Sequence, residues 1–337
     1  MLESGSCSGS ANICSKIEVE QFCYKDESPL AMGNIGTAYS AFKPRAGSLA
    51  RVLLEKQRAD QYLSSYDKNQ WYQCNLTSMP EELQEKFVQL EADNDTLVFL
   101  EQSEDKSDWI FTQIWHSLAK AVLSLFMTQT SINGWLQRGS MFVVSFQQLL
   151  KLILGPTWTT SPQWSSDSLL DLGAGDGEVT ARFASAFQHV YVTEVSPTMQ
   201  TLLKRRGFQL LDIDKWSSHR KYDMISCLNL LDRCDKPIEL LGDIHSALNP
   251  GGLVLLALVL PFSPYVESGA ADHKPQQLMP IKGRGFEDQV TSFVANVLTP
   301  AGFEVVRWSR VPYLCEGDLR QSYYWLDDSI FILRARS

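Results

Sequence analysis

From residue 168 onward the chain alternates short apolar runs with segments of helical spacing, the pattern of a sheet wrapped by helices. The runs predict strands at 168–172, 189–194, 208–212, 222–227, 252–259, 303–310 and 327–334. Between them, Ile238, Leu241, Ile244 and Leu248 recur at the interval of an amphipathic helix, which Asn249-Pro250-Gly251-Gly252 ends. Phe286, Val290, Phe293, Val294 and Val297 predict another. No helical segment separates the last two strands. The reading is an α/β domain over 151–337, built on a seven-stranded, mostly parallel sheet.

Upstream, 51–150 reads as a helical extension packed on that domain, with Trp/Phe-rich helices around 81–100 and 107–128. Apolar residues at 111, 114, 115, 118, 122, 125 and 126 follow helical spacing and predict a buried amphipathic helix. Gln113, His116 and Lys120 interrupt the same stretch, so it is too polar for an integral membrane segment. Thr130–Ser145, with its two glycines, reads as a turn segment. Residues 1–50 are rich in Ser, Gly and Ala, lack periodicity, and are expected to be unordered.

Composition narrows the function. Hydrophobic residues make up 44% and charged residues 20% of 337, as in an ordinary globular protein that needs no disulfide or metal to hold its core. The net charge of −9 repels phosphate backbones. Lys204-Arg205-Arg206, the longest basic run, ends a predicted helix, where cations suit the dipole, so no nucleic-acid partner is expected. Seven cysteines without a CxxC spacing point to neither a metal site nor a disulfide framework. A basic stretch followed by an apolar run is missing from the N-terminus, so a cytoplasmic location is expected from sequence.

The first strand of the domain runs into Gly173-Ala174-Gly175-Asp176-Gly177, followed by a predicted helix from Glu178 to Phe187. Glycines there let the backbone approach a ligand, and the helix start offers free N–H groups. A dinucleotide fingerprint would need glycine where Glu178 stands. A ligand with a sulfonium and an α-amino group, but no phosphate, instead suits acids such as Asp171 and Asp176. Glu194 closes the next strand 17 residues after Gly177, where a carboxylate takes ribose hydroxyls. Asp212, Asp214 and Trp216 follow the third strand as candidates for framing an adenine, with two acids competing for one role. Together these features point to S-adenosylmethionine as cofactor, and to the Rossmann-like fold of class I methyltransferases with a helical extension.

The fourth strand feeds Leu228-Asn229-Leu230-Leu231-Asp232-Arg233. Ligands in open α/β sheets bind outside the carboxyl ends of strands, so this segment should face the transferred methyl group. Enzymes that methylate exocyclic amines carry Pro-Pro after the Asn or Asp; here it is absent. Asn229 and Asp232 face one pocket if the segment coils helically, although Asp232 has an ion pair with Arg233 as an alternative role.

LLDLGAGDGEVT (169–180), SCLNLLDRCD (226–235), LALVLPFSPYVE (256–267) and VPYLCEGD (311–318) closely resemble the methyltransferase-like protein 9 family, also called the DREV family. TSINGWLQRGSMFV (130–143), NQWYQCN (69–75) and YYWLDDSIFIL (323–333) do so too, and the resemblance spans about 69–335. It implies methylation of the π nitrogen of histidine in His-x-His segments of protein substrates. It further implies that Glu194, Asn229 and Tyr313 contact the cofactor, beside Asp171, Gly173 and Gly175, and that Asp232 holds the target imidazole. An endoplasmic-reticulum or mitochondrial location is the family expectation. Glu316 and Asp318 add acidity near the same mouth, and Arg138 and the 263–284 loop are candidates for covering it. The chain's five histidines include no His-x-His pair, so its substrate is another protein; it is expected to act as a monomer. Other readings are a methyltransferase for a small molecule or another side chain, a noncatalytic module, and an NAD-dependent oxidoreductase, which Glu178 disfavours.

Overall fold

The computed structural model describes residues 48–336 except 124–128, 137–138, 158–163, 219 and 268–271. The expectation for residues 1–47, and any role of Arg138, therefore lie outside the described residues. Helices α1 (Ser48–Ser65), α2 (Glu81–Glu85), α3 (Asn94–Asp108), α4 (Ile110–Leu123) and α5 (Gln129–Leu136) precede the two-residue strand β1 (Met141–Phe142) and helix α6 (Phe146–Leu154). The sheet domain then runs β2 (Ser166–Leu172), α7 (Glu178–Phe183), β3 (Phe187–Thr193), α8 (Pro197–Arg205), β4 (Gln209–Leu210) and β5 (Tyr222–Leu228). It ends with α9 (Pro237–Ala247), β6 (Leu248–Val259), α10 (Phe286–Phe293), β7 (Phe303–Glu316) and β8 (Tyr323–Ala335).

The sheet order is β1-β7-β8-β6-β5-β2-β3-β4. All seven predicted strands are present, and the eighth, β1, pairs antiparallel with β7 at the edge. The four ladders linking β2 through β6 are parallel, and β8 is antiparallel to both β6 and β7. Crossover helices α7, α8 and α9 impose the parallel part, and the tight connection after Glu316 imposes the antiparallel end. Alternation sorts side chains to two cores. Leu170, Leu172, Ile225, Leu256, Phe331 and Leu333 bury into one; Leu169, Met224, Leu255, Ile330 and Ile332 bury into the other.

The extension shares both cores. Trp71 and Tyr72 are buried beside Tyr323, and Trp308 donates its indole N–H to Leu83 O at 2.7 Å. Backbone bonds from Val88 to Trp308 O and from Trp308 to Lys86 O (2.8 and 3.0 Å) clamp the extension onto β7.

Three expectations are corrected. Residues 48–50 already lie in α1. The stretch read as a turn over 130–145 contains helix α5, strand β1 and the start of the next cap. Gly134 misled that reading: a Cβ there would sit 2.8 Å from Met199 Sδ, so the glycine lets α5 pack on α8 rather than breaking a helix. The third concerns α4, which is amphipathic but turned outward. Phe111 is 90% exposed and Trp115 and Leu118 are each 59% exposed, whereas Gln113 is buried and donates to Lys106 O at 2.8 Å.

Candidate functional site

Strand β2 delivers the chain to a loop in which Gly173, Gly175 and Gly177 all have positive φ (67°, 57° and 79°). Two of the three are also crowded by neighbouring side chains. A Cβ on Gly177 would meet Leu203 and Phe208 at 2.8 and 2.9 Å, and one on Gly173 would meet Leu230 at 3.0 Å. Gly175 differs, because nothing lies within 4 Å of where its Cβ would be. Its open face leaves room for a ligand to approach the backbone.

Glu194 follows β3 directly and is buried. Its Oε2 accepts from Gly175 N at 3.0 Å and its Oε1 from Ser196 N at 2.8 Å. The carboxylate thus fixes the loop to the start of α8, and each oxygen retains a lone pair for a hydroxyl donor. Asp171 lies behind the loop. Ser226 donates to its Oδ1 at 2.6 Å, and the Thr180 hydroxyl donates to its Oδ2 at 2.5 Å. Burial lifts this carboxyl to about 6, against those two hydrogen bonds. Asp171 therefore ties β2 to α7 and β5. Asp176 accepts from Glu178 N, at the first residue of α7, at 3.0 Å, and Glu178 is ion-paired with Arg206.

The second half of the site lies at the carboxyl end of β5. Asn229 sits at φ 53°, in the left-handed region, which asparagine tolerates better than most residues. Its backbone N–H donates to Ala257 O at 3.0 Å. Gly173 packing against Leu230 brings the glycine loop beside this segment. Residues 231–233 form a turn, not a helix, closed by Arg233 N donating to Leu230 O at 2.9 Å.

Asp232 is buried at 3% exposure. Its Oδ2 pairs with Arg233 Nε at 3.1 Å, and its Oδ1 has no hydrogen-bond partner. Desolvation raises its pKa and Arg233 opposes the rise. The ion pair considered from sequence and a free acceptor therefore coexist on one carboxylate. Its backbone carbonyl accepts from Tyr265 N at 2.8 Å, which ties the start of the 263–284 loop to this turn.

Tyr313 on β7 donates to Met141 Sδ on β1, and burial pushes its phenol well above the ordinary range. Asp232, Arg233 and Asp328 all act electrostatically on it, so these groups share one neighbourhood. Asp328, on β8, was not among the residues singled out from sequence. It is fully buried, accepts from Asn229 Nδ2 at 2.7 Å through Oδ2, and has no partner at Oδ1. Desolvation drives its carboxyl well above the usual value, and Asp232 adds to the rise. A signal existed: Asp328 has the strand parity of the buried Ile330 and Ile332, while Asp327 pairs with Arg310 at 2.7 Å.

Other candidates stand apart or serve elsewhere. Glu316 is buried and holds Lys106 at 2.9 Å and Gly139 N at 2.8 Å. Asp318 caps its own turn through Arg320 N at 2.8 Å. Trp216 packs in the core, and Asp212 accepts from Asp214 N at 2.9 Å. No group of three or more metal-ligating side chains occurs among the described residues, and none of the described helices is long and apolar enough to cross a membrane.

The described groups suit a ligand with ribose hydroxyls and a cationic amine. Glu194 has acceptor capacity beside the open face of Gly175, and Asn229 Oδ1 is a buried acceptor without a partner. The DREV methyltransferase family model matches residues 71–335. Among solved structures, the chain is similar to the N-methyltransferase NodS from Bradyrhizobium japonicum WM9 in complex with S-adenosyl-L-homocysteine. They share 16% identity over 57% of this chain and 85% of that one, with a TM-score of 0.36. It is also similar to a putative RNA methyltransferase from Pyrococcus horikoshii, at 14% identity, 56% and 81% coverage and a TM-score of 0.37.

Proposed function

The chain belongs to the DREV methyltransferase family, and from that premise we propose that it methylates the π nitrogen of histidine in His-x-His segments of other proteins. The observation that carries the proposal is Asp232: a buried carboxylate with one oxygen paired to Arg233 and the other left without a donor. An unsatisfied buried acceptor is costly, and an N–H group of a bound ligand would satisfy it.

S-adenosylmethionine is the cofactor, and when bound it supplies an electrophilic methyl group on a sulfonium. Gly173 and Gly175 would border it, Glu194 would take its ribose hydroxyls, and Asn229 and Tyr313 would line its methionine end. Asp171 acts from behind, keeping β2, α7 and β5 in register.

Imidazole suits this pocket because its neutral form, with a pKa near ~6.5, is already a nucleophile and needs orientation more than deprotonation. Asp232 Oδ1 accepting from the τ N–H fixes the tautomer and leaves the π lone pair free to attack. Methylation makes the ring cationic, and the same carboxylate stabilises that charge in a site shielded from water. An imidazole target also agrees with the lack of Pro-Pro after Asn229. That element grips planar amino groups, which histidine lacks.

The direct test is transfer of labelled methyl from S-adenosylmethionine to peptides bearing His-x-His, His-x-Ala and Ala-x-His. Labelling that requires the first motif supports the proposal. Labelling confined to lysine or arginine peptides, or to small molecules, overturns the substrate and leaves the family membership standing.

A further inference from the structure

Asp328 and Asn229 come from strands distant in sequence, yet a 2.7 Å hydrogen bond joins Asn229 Nδ2 to Asp328 Oδ2. An asparagine amide has two orientations that differ little in shape and exchange a donor for an acceptor. In this pair Nδ2 donates and Asp328 Oδ2 accepts, so the contact turns Nδ2 toward β8. The opposite end of the amide, Oδ1, is then a buried acceptor with no protein donor. Asp328 lies inside the sheet: its strand is hydrogen-bonded on both sides, and it stands opposite Val259 on β6 and Val311 on β7. Backbone N–H groups of Leu258 and Ser329 also act on its carboxylate.

We propose that Asp328 is a positioning residue of the cofactor site, locking the Asn229 amide so that Oδ1 accepts from the α-ammonium group of S-adenosylmethionine. The inference rests on the cofactor reading above. It extends the site to β8, which carries none of the residues assigned from sequence. Asn229 sits at φ 53° just past β5, and Asp328 on β8 is the side chain that holds its amide nitrogen.

The experiment is a double-mutant cycle read by calorimetric titration of S-adenosylhomocysteine, which keeps the ammonium and lacks the methyl. Asn229→Ala and Asp328→Leu are each expected to weaken binding about tenfold, the scale of one charge-assisted hydrogen bond. The double variant is expected to bind no more weakly than Asn229→Ala alone, because the two side chains act as one unit. Asp328→Asn, which keeps an acceptor oxygen, is expected to stay within about threefold of wild type. Additive losses in the double variant, undiminished affinity of Asp328→Leu, or an Asp328→Asn loss as large as that of leucine would overturn the proposal. If leucine does not pack, Asp328→Ala completes the same cycle. Wild-type protein giving no binding heat removes the cofactor reading itself; binding heat with an additive cycle removes only the role of Asp328.

Discussion

Asn229 and Asp328, 99 residues apart in sequence, meet through a 2.7 Å hydrogen bond at the carboxyl end of the sheet. Around that contact the chain collects buried acceptor oxygens: Asn229 Oδ1, Asp232 Oδ1 and Asp328 Oδ1 all lack partners. These oxygens are poorly satisfied by the protein alone. They suit ligands that bring N–H groups and positive charge, which a cofactor ammonium and an imidazole that becomes cationic both do.

Removing the acceptor at Asp232 should separate chemistry from cofactor binding. Asp232→Ala is expected to lower kcat for histidine methylation by about 100-fold or more, in the range of losing one oriented electrostatic group. Affinity for S-adenosylhomocysteine should stay within about threefold of wild type. In the wild type the rate should fall as pH falls, because protonating either the imidazole or Asp232, whose pKa burial raises, removes an interaction that transfer requires. Steady-state kinetics across pH beside calorimetry checks both halves, and full activity in Asp232→Ala refutes the role.

Gly175 and Gly177 of the loop should respond differently to alanine. Gly175→Ala places a side chain in open space at φ 57°, so its cost is conformational, about 1–2 kcal/mol of stability. Gly177→Ala adds contacts of 2.8 and 2.9 Å with Leu203 and Phe208 and should lose about 1–3 kcal/mol more. Denaturant unfolding of the two variants gives the comparison. Equal losses would mean that the neighbours of Gly177 yield without cost.

The sheet was legible from sequence because its strands are short apolar runs bounded by turn residues, and all seven were placed. Strand β1 was not, since two residues carry no periodicity and only pairing with Leu314 and Cys315 defines them. Helix α4 shows a different limit: spacing reveals an apolar stripe but not which way it faces, and here Gln113 points inward while Phe111 and Trp115 point out. Local pattern alone singles out the glycine loop, Glu194, Asn229 and Asp232 as the residues proposed for the site. Asp328 could not be paired with Asn229 without the register of β8 on β6.

Because the apolar stripe of α4 faces solvent, polar replacements there should be nearly silent for stability. Phe111→Ser is expected to change the unfolding free energy by no more than about 0.5 kcal/mol. Phe331→Ala, at a fully buried position, should cost about 3–5 kcal/mol. A loss of several kcal/mol at Phe111 in denaturant titration would show that the helix packs inward after all.

Asp171 makes a pH-dependent contribution whose sign follows from its raised pKa. With a folded value of about 6 against an ordinary ~3.9 for Asp, the folded chain binds this proton more tightly than the unfolded chain. That contribution is complete below about pH 4 and shrinks as pH rises through 6. Asp171→Asn cannot titrate, so wild-type stability minus variant stability should decline between pH 4 and 6 and level off above. A difference that is flat or rises over that window, measured by thermal unfolding, contradicts the assignment.

Asp232 is proposed to fix the tautomer of a target histidine so that its π nitrogen receives the methyl group. A His-x-His peptide incubated with the enzyme and labelled S-adenosylmethionine can be hydrolysed and its methylhistidine isomers separated by chromatography. The label should appear in the π-methyl isomer with wild-type enzyme and vanish with Asp232→Ala. Label in the τ-methyl isomer, or undiminished π-labelling by the variant, would contradict the account.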